Sequence, residues 1–198
     1  FYLLDARFKP WPTSAVAHVF IEAALELTEK HGVGAAAIER VEVRGGSWIR
    51  PWCEPAEERR KPRNAAAAAN SIPFAVATAL AKGSVTLADF TSEGLRRPEA
   101  MRLAERTAYS TDDKLGPAGI VEITTVRGQR HVARVDTPLG HASKPLTQAQ
   151  LIEKFRDCAR YAAHPLSEEA LVAALEQIEQ LERVPDVGVL PALLSAPP

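Results

Sequence analysis

The sequence predicts an α+β fold: a small α+β domain with antiparallel strands and packed helices, followed by C-terminal helices. Three observations carry this. Val16, Phe20, Ala23, Ala24 and Leu27 recur at helical spacing, which marks one apolar helix face. Residues 121–126 and 130–135 flank Gly128 and are rich in β-branched side chains, the pattern of an antiparallel hairpin. From Thr147 onward two capped amphipathic segments follow with no strand pattern, so the chain ends in helices.

The elements follow in order. Pro10 and Pro12 fix φ and bias the residues before them away from helix, which predicts a helix start near Thr13 or Ser14. Gly32 and Gly34 end that helix. Residues 38–43 alternate charged and β-branched side chains in a broken pattern and predict a strand. Pro51 and Pro55 punctuate residues 48–55, expected to be irregular. Residues 56–64 read as a mobile charged loop. The cluster Arg59-Arg60-Lys61-Pro62-Arg63 follows Glu57-Glu58, so it reads as solvated and not as a binding patch.

Residues 65–81 are alanine-rich and interrupted by Pro73. An interior proline costs a helix about 3 kcal/mol, so Pro73 belongs in the first turn of the main helix. Asn70 or Ser71 then caps it, and the alanine run before it forms a separate short helix. Residues 99–109 read as a helix opened by Pro98, and Pro138 and Gly140 end the second hairpin strand. Thr147 and Ser167 cap helices over 147–163 and 167–183, and Ser167 lacks the acid three residues on that a full capping box needs. Leu151, Phe155, Cys158 and Ala162 form one apolar stripe, and Leu171, Leu175, Ile178 and Leu181 another. The tail after Val184 is expected to pack irregularly or fray.

Composition narrows the function classes. The 198 residues carry a net charge of −1, which gives no electrostatic reason to expect nucleic acid or an anionic membrane as partner. No apolar run approaches the ~20 residues that span a bilayer, and no signal or transit peptide is evident; the expected localisation is cytoplasmic. Cys53 and Cys158 lie far apart without a metal-type companion and read as free buried thiols. His31, His131 and His164 have no partner at metal-ligand spacing, so no metal is expected. No nucleotide or metallohydrolase motif appears, and no cofactor is expected. The sequence opens on Phe1, which reads as a fragment, a processed chain or one half of a split protein.

Chemistry concentrates in Lys9-Pro10-Trp11-Pro12-Thr13-Ser14-Ala15-Val16-Ala17-His18. A cation, two hydroxyls and the free N–H groups of a helix start gather there, an arrangement suited to a carboxylate ligand. Lys9 reads as the group that binds and polarises a carboxylate. His18 is open to two readings, a catalytic role or a core histidine. Thr13 and Ser14 read as caps that can also hydrogen-bond a carboxylate. His141 reads as a turn residue.

These residues resemble the C-terminal half of the MmgE/PrpD family of 2-methylcitrate dehydratases, cis-aconitate decarboxylases and iminodisuccinate epimerases. Lys9, Trp11, Pro12 and His18 fit the family's K-x-aromatic-P stretch with a histidine nine residues after the lysine. Asn70-Ser71-Ile72-Pro73-Phe74-Ala75-Val76-Ala77 resembles its F-S-x-P-Y-A-V-A helix, and residues 83–90 its G-x-x-x-L-x-x-F segment. Gly140-His141-Ala142-Ser143-Lys144-Pro145-Leu146-Thr147, with Lys154-Phe155, resembles G-D-P-x-N-P-L-S…K-F. The four motifs come in family order from about Asp5 to about Leu181.

The resemblance implies a small α+β domain over 1–144 and, over 145–198, the closing helices of a helical domain. It implies a cofactor-independent lyase component that removes a proton alpha to a carboxylate of a small di- or tricarboxylate, as in 2-methylcitrate dehydration. Lys9 and His18 would be catalytic, with Thr13, Ser14 and Phe74 contacting substrate. The remaining groups would come from a helical-domain chain or a homo-oligomer. Phe74 stands where relatives carry tyrosine and cannot donate a hydrogen bond. Decarboxylation, epimerisation, a natural-product reaction, or a non-catalytic subunit that keeps the fold are the alternatives.

Overall fold

The computed structural model describes residues 6–195. Asp5, near which the family motifs open, lies outside them. The chain divides into a first unit that runs to Leu146 and a second that begins at Thr147.

In the first unit, a 3-10 turn over Ala15–Ala17 leads into helix α1, His18–His31. Regular helix therefore starts several residues later than Thr13 or Ser14. Ser14 is extended (φ −57°, ψ 138°) and its side chain makes no capping bond. Gly32 closes α1 in the left-handed region at φ 58°, donating to Thr28 O at 2.9 Å, a common helix stop.

Strand β1 follows over Ile38–Gly45, with a register shift between Ile38 and Arg40. Glu39 and Arg40 are consequently both exposed, which accounts for the broken alternation.

The segment expected to be irregular and mobile is instead helical: α2 spans Arg50–Cys53 and α3 Ala56–Arg60. Its cations are staples. Arg59 donates to Glu54 O at 3.0 Å and Asn70 O at 3.1 Å, Arg60 to Thr107 O at 3.0 Å, and Lys61 pairs with Glu105 at 2.7 Å. Long cationic side chains satisfy carbonyls left unpaired where elements end.

Helix α4 (Ala65–Ala69) is capped by Asn64, whose Oδ1 accepts from Ala67 N–H at 2.9 Å. Helix α5 (Ile72–Lys82) carries its proline in the first turn, and Ser71 Oγ caps it by accepting from Phe74 N–H at 3.1 Å. The first-turn Pro73 and the Ser71 cap agree with the capping argument, which does not name Asn64. Helix α6 spans Pro98–Glu105 and gives way to strand β2, Thr107–Thr111, where the sequence reading continued the helix.

Strand β2 pairs in parallel with β1, Val41 opposite Thr107 and Val43 opposite Tyr109. Strands β3 (Gly119–Thr125) and β4 (Arg130–Val135) form the expected antiparallel hairpin. The sheet order is β2-β1-β3-β4. It is therefore mixed: the predicted antiparallel strands are present in an α+β domain, and the β1–β2 pair adds a parallel edge.

Helices α1, α5 and α6 join the sheet in one core that includes Phe20, Ile21, Val43, Phe74, Leu103 and Ile123. Each such side chain contributes about 1.5–3 kcal/mol relative to exposure. His31 at the end of α1 stacks on His131 of β4, with ring centroids 4.1 Å apart. The sequence treated these two as unrelated. Desolvation, then the His131 and Lys30 charges, hold the His31 pKa below its ordinary 6.5.

The unfolded chain thus takes up this proton first as pH falls. The stability linked to it is present above about pH 6.5 and is lost as pH drops through the lower folded-state value. Urea midpoints should accordingly fall from pH 7 to pH 5, and His131→Gln should reduce part of that fall. An unchanged pH dependence in His131→Gln would show that the two rings are not coupled.

In the second unit, α7 (Gln148–Arg160) opens on a full capping box between Thr147 and Gln150. Helix α8 (Glu168–Glu179) opens on Ser167 alone. A short helix α9, Val189–Leu194, occupies the tail expected to be irregular. Leu171 and Ala174 are buried, whereas Leu151, Val172 and Ile178 are exposed. Of the two thiols, Cys53 is buried and pushed up to about 12 by desolvation, while Cys158 is exposed, contrary to the buried reading. No helix among the described residues is long and apolar enough to cross a membrane.

Candidate functional site

Lys9 stands exposed on the loop that leads into α1. Its ammonium donates to Thr13 O at 3.3 Å, which curls the side chain over the loop and leaves two further N–H directions. The loop is held from inside: Thr13 N–H donates to Trp11 O at 2.8 Å and Thr13 Oγ1 to Ser14 O at 3.2 Å. His18, in the first turn of α1, is 3% exposed and meets the Trp11 ring edge-on at 5.4 Å.

Two distant segments grip this loop. Ser14 N–H donates to Ala69 O at 2.7 Å, at the end of α4 and just before the Ser71 cap of α5. Phe8 N–H donates to Gly140 O at 3.0 Å, and Gly140 N–H to Lys144 O at 2.8 Å. Gly140 sits at φ 87°, and a Cβ there would lie 1.9 Å from Phe8 O. Only glycine lets the backbones approach so closely at that φ. Three sequence motifs, around residues 9, 71 and 140, therefore meet at one place.

Glu22 holds the third of them. Its carboxylate accepts from Leu139 N–H at 2.7 Å and from the Lys144 ammonium at 2.5 Å. Glu22 lies outside the apolar face set by Val16, Phe20, Ala23, Ala24 and Leu27, yet it is 9% exposed. The available signal was a lone acid inside Val19-Phe20-Ile21-Glu22-Ala23-Ala24, a run otherwise buried throughout.

The remaining expectations divide. The Thr13 and Ser14 N–H groups, expected to be free, are both taken by backbone carbonyls. Thr13 is 4% exposed and Ser14 half-buried. Phe74 is 1% exposed with its ring edge-on to Phe90 at 6.1 Å, so it presents no surface to a ligand. Thr13, His18 and Phe74 are thus all buried in this structure, as the core reading of His18 has it.

Phe74→Tyr should then bury an unpartnered hydroxyl and cost about 1–3 kcal/mol of stability, read as a lower denaturant midpoint. A midpoint equal to wild type would mean that the ring edge has a polar outlet. His141 is turned inward on its own loop, where Ser143 N–H donates to its Nδ1 at 3.1 Å. Among the described residues no cluster of three or more His, Cys, Asp or Glu could hold a metal.

A model of the MmgE/PrpD C-terminal domain matches residues 11–180, most of the chain. The chain belongs to the MmgE/PrpD family. Two curated relatives are cis-aconitate decarboxylases: the Mus musculus protein, 28% identical over 207 residues, and the Homo sapiens protein, 27% identical over 198. Each alignment covers 98% of this chain and 40% of the relative. The chain thus spans less than half the length of these MmgE/PrpD relatives.

Proposed function

We propose that this chain supplies the Lys9 side of the active site of an MmgE/PrpD lyase acting on a small di- or tricarboxylate. The carrying observation is the convergence of three motifs on a loop that carries the exposed ammonium of Lys9 beside the helix start. In this reading Lys9 binds a substrate carboxylate as a compact point charge. As the C–H bond alpha to that carboxylate breaks, the developing charge is stabilised by the ammonium already in place. Trp11 and His18 brace the loop, and Thr13 sets the position of the ammonium.

In a dehydration of the 2-methylcitrate type, the electron pair from the broken C–H bond forms the alkene and the hydroxyl leaves as water. A second reading is favoured by the two relatives, which are cis-aconitate decarboxylases. In a decarboxylation, the bond to one carboxylate breaks, carbon dioxide leaves, and a proton fills the vacated carbon valence. Both pass through a carbanion-like state that one cation can stabilise. The proton-transferring groups then come from the part of a whole family member beyond this stretch, in the same polypeptide, a helical-domain chain or a second copy.

The test is incubation of the protein, assembled with that part, with cis-aconitate and with 2-methylcitrate in deuterated water, followed by proton NMR. Carbon dioxide release with deuterium at the vacated carbon supports decarboxylation, and alkene formation supports dehydration. Recovery of both compounds unchanged and undeuterated would remove the lyase reading.

A further inference from the structure

A nearly buried carboxylate outside the Lys9 loop has no part in the chemistry proposed above: Glu22, in the second turn of α1. Both its oxygens are engaged, and both partners lie on one loop. Oε2 accepts from Leu139 N–H at 2.7 Å, and Oε1 from Lys144 Nζ at 2.5 Å.

Between those two points the loop is closed on itself. His141 N–H donates to Pro138 O at 3.2 Å, Lys144 N–H to His141 O at 2.9 Å, and Gly140 N–H to Lys144 O at 2.8 Å. The loop is thus tied to α1 by one carboxylate, beside the packing of Leu139 against the core. Its outward connection is Gly140 O, which accepts from Phe8 N–H, the residue before Lys9.

We infer that Glu22 is a positioning residue for Lys9, acting through the 139–144 loop; the inference rests on the reading of Lys9 as the carboxylate-binding group. The path is continuous: Glu22 to Leu139 and Lys144, Gly140 to Phe8, and Phe8 by covalent bond to Lys9. The geometry explains why an acid is tolerated in an otherwise apolar run. A charge so nearly buried needs a cation and a hydrogen-bond donor together, and the loop brings both. It also gives Lys144 a task distinct from that of Lys9. Lys144 is held by Glu22 in an ion pair, whereas among the described residues the Lys9 ammonium donates to the neutral carbonyl of Thr13.

The test uses amide hydrogen exchange in the whole chain with Glu22→Ala, Glu22→Gln and Lys9→Ala, together with binding of cis-aconitate. Glu22→Ala loses both partners. Glu22→Gln keeps an oxygen for Leu139 N–H and loses the attraction to Lys144. Expected is exchange at Phe8 and Gly140 about tenfold faster in Glu22→Ala and less so in Glu22→Gln, reporting local opening of the loop. Amides of Val43 and Val76 in the core should keep their wild-type rates. Binding of cis-aconitate should weaken in the same order.

Unchanged exchange at Phe8 in Glu22→Ala overturns the inference. So does faster exchange at Val43 and Val76 alike, which would mark Glu22 as a general stability residue. Wild-type binding in Glu22→Ala, with binding lost in Lys9→Ala, overturns it while leaving the Lys9 reading standing. Equal behaviour of wild type and Lys9→Ala toward cis-aconitate removes the Lys9 reading itself, and the positioning role with it.

Discussion

Lys9→Ala is expected to abolish turnover in the assembled protein while leaving folding almost untouched. The side chain is exposed and, among the described residues, makes one long hydrogen bond, 3.3 Å to Thr13 O. Removing an exposed group of this kind changes stability by well under about 1 kcal/mol. Its catalytic weight is different in scale. Loss of one preorganised group that stabilises developing negative charge lowers kcat by about 10²–10³.

Lys9→Arg should also impair turnover, because a planar fork does not reproduce a compact ammonium folded onto Thr13 O. Steady-state rates on cis-aconitate, paired with urea midpoints, check both variants. Full turnover in Lys9→Ala would falsify its assignment to the site.

Gly140→Ala is expected to be the most damaging small substitution in the loop network. At φ 87° an L side chain is strained by about 1–2 kcal/mol. The new methyl would also stand 1.9 Å from Phe8 O. The backbones must therefore part, and the Phe8 to Gly140 hydrogen bond at 3.0 Å must break with them. Turnover should fall nearly as far as in Lys9→Ala, and unlike that variant it should fall together with the urea midpoint. A midpoint and turnover both equal to wild type would mean that the two backbones separate without disturbing Lys9.

The two variants differ in how visible they were beforehand. Ser71 and Pro73 could be placed from sequence because a cap and a first-turn proline act on residues three or four positions away. The same locality made α7 and α8 legible through Thr147 and Ser167. Strand β2 was not legible, because its partner is β1, more than sixty residues earlier, and parallel pairing leaves no turn between the strands to announce it.

Arg59 and Arg60 misled for a related reason. Their partners Asn70 and Thr107 are set by tertiary packing, and a charge run by itself looks solvated. In the site, Lys9 was legible as chemistry, while the groups that hold it were not. Glu22 meets Lys144 across 122 positions, and no local pattern encodes that distance. His18 and Phe74 drew attention by their motif positions, and sequence could not show that they would be only 3% and 1% exposed, because burial is set by the packing of distant elements.

The hydrogen bond between Phe8 and Gly140 joins the two extremities of the first unit. Two stretches of chain far apart in sequence thus lie side by side, the close approach of ends that is common in a unit folded around one core.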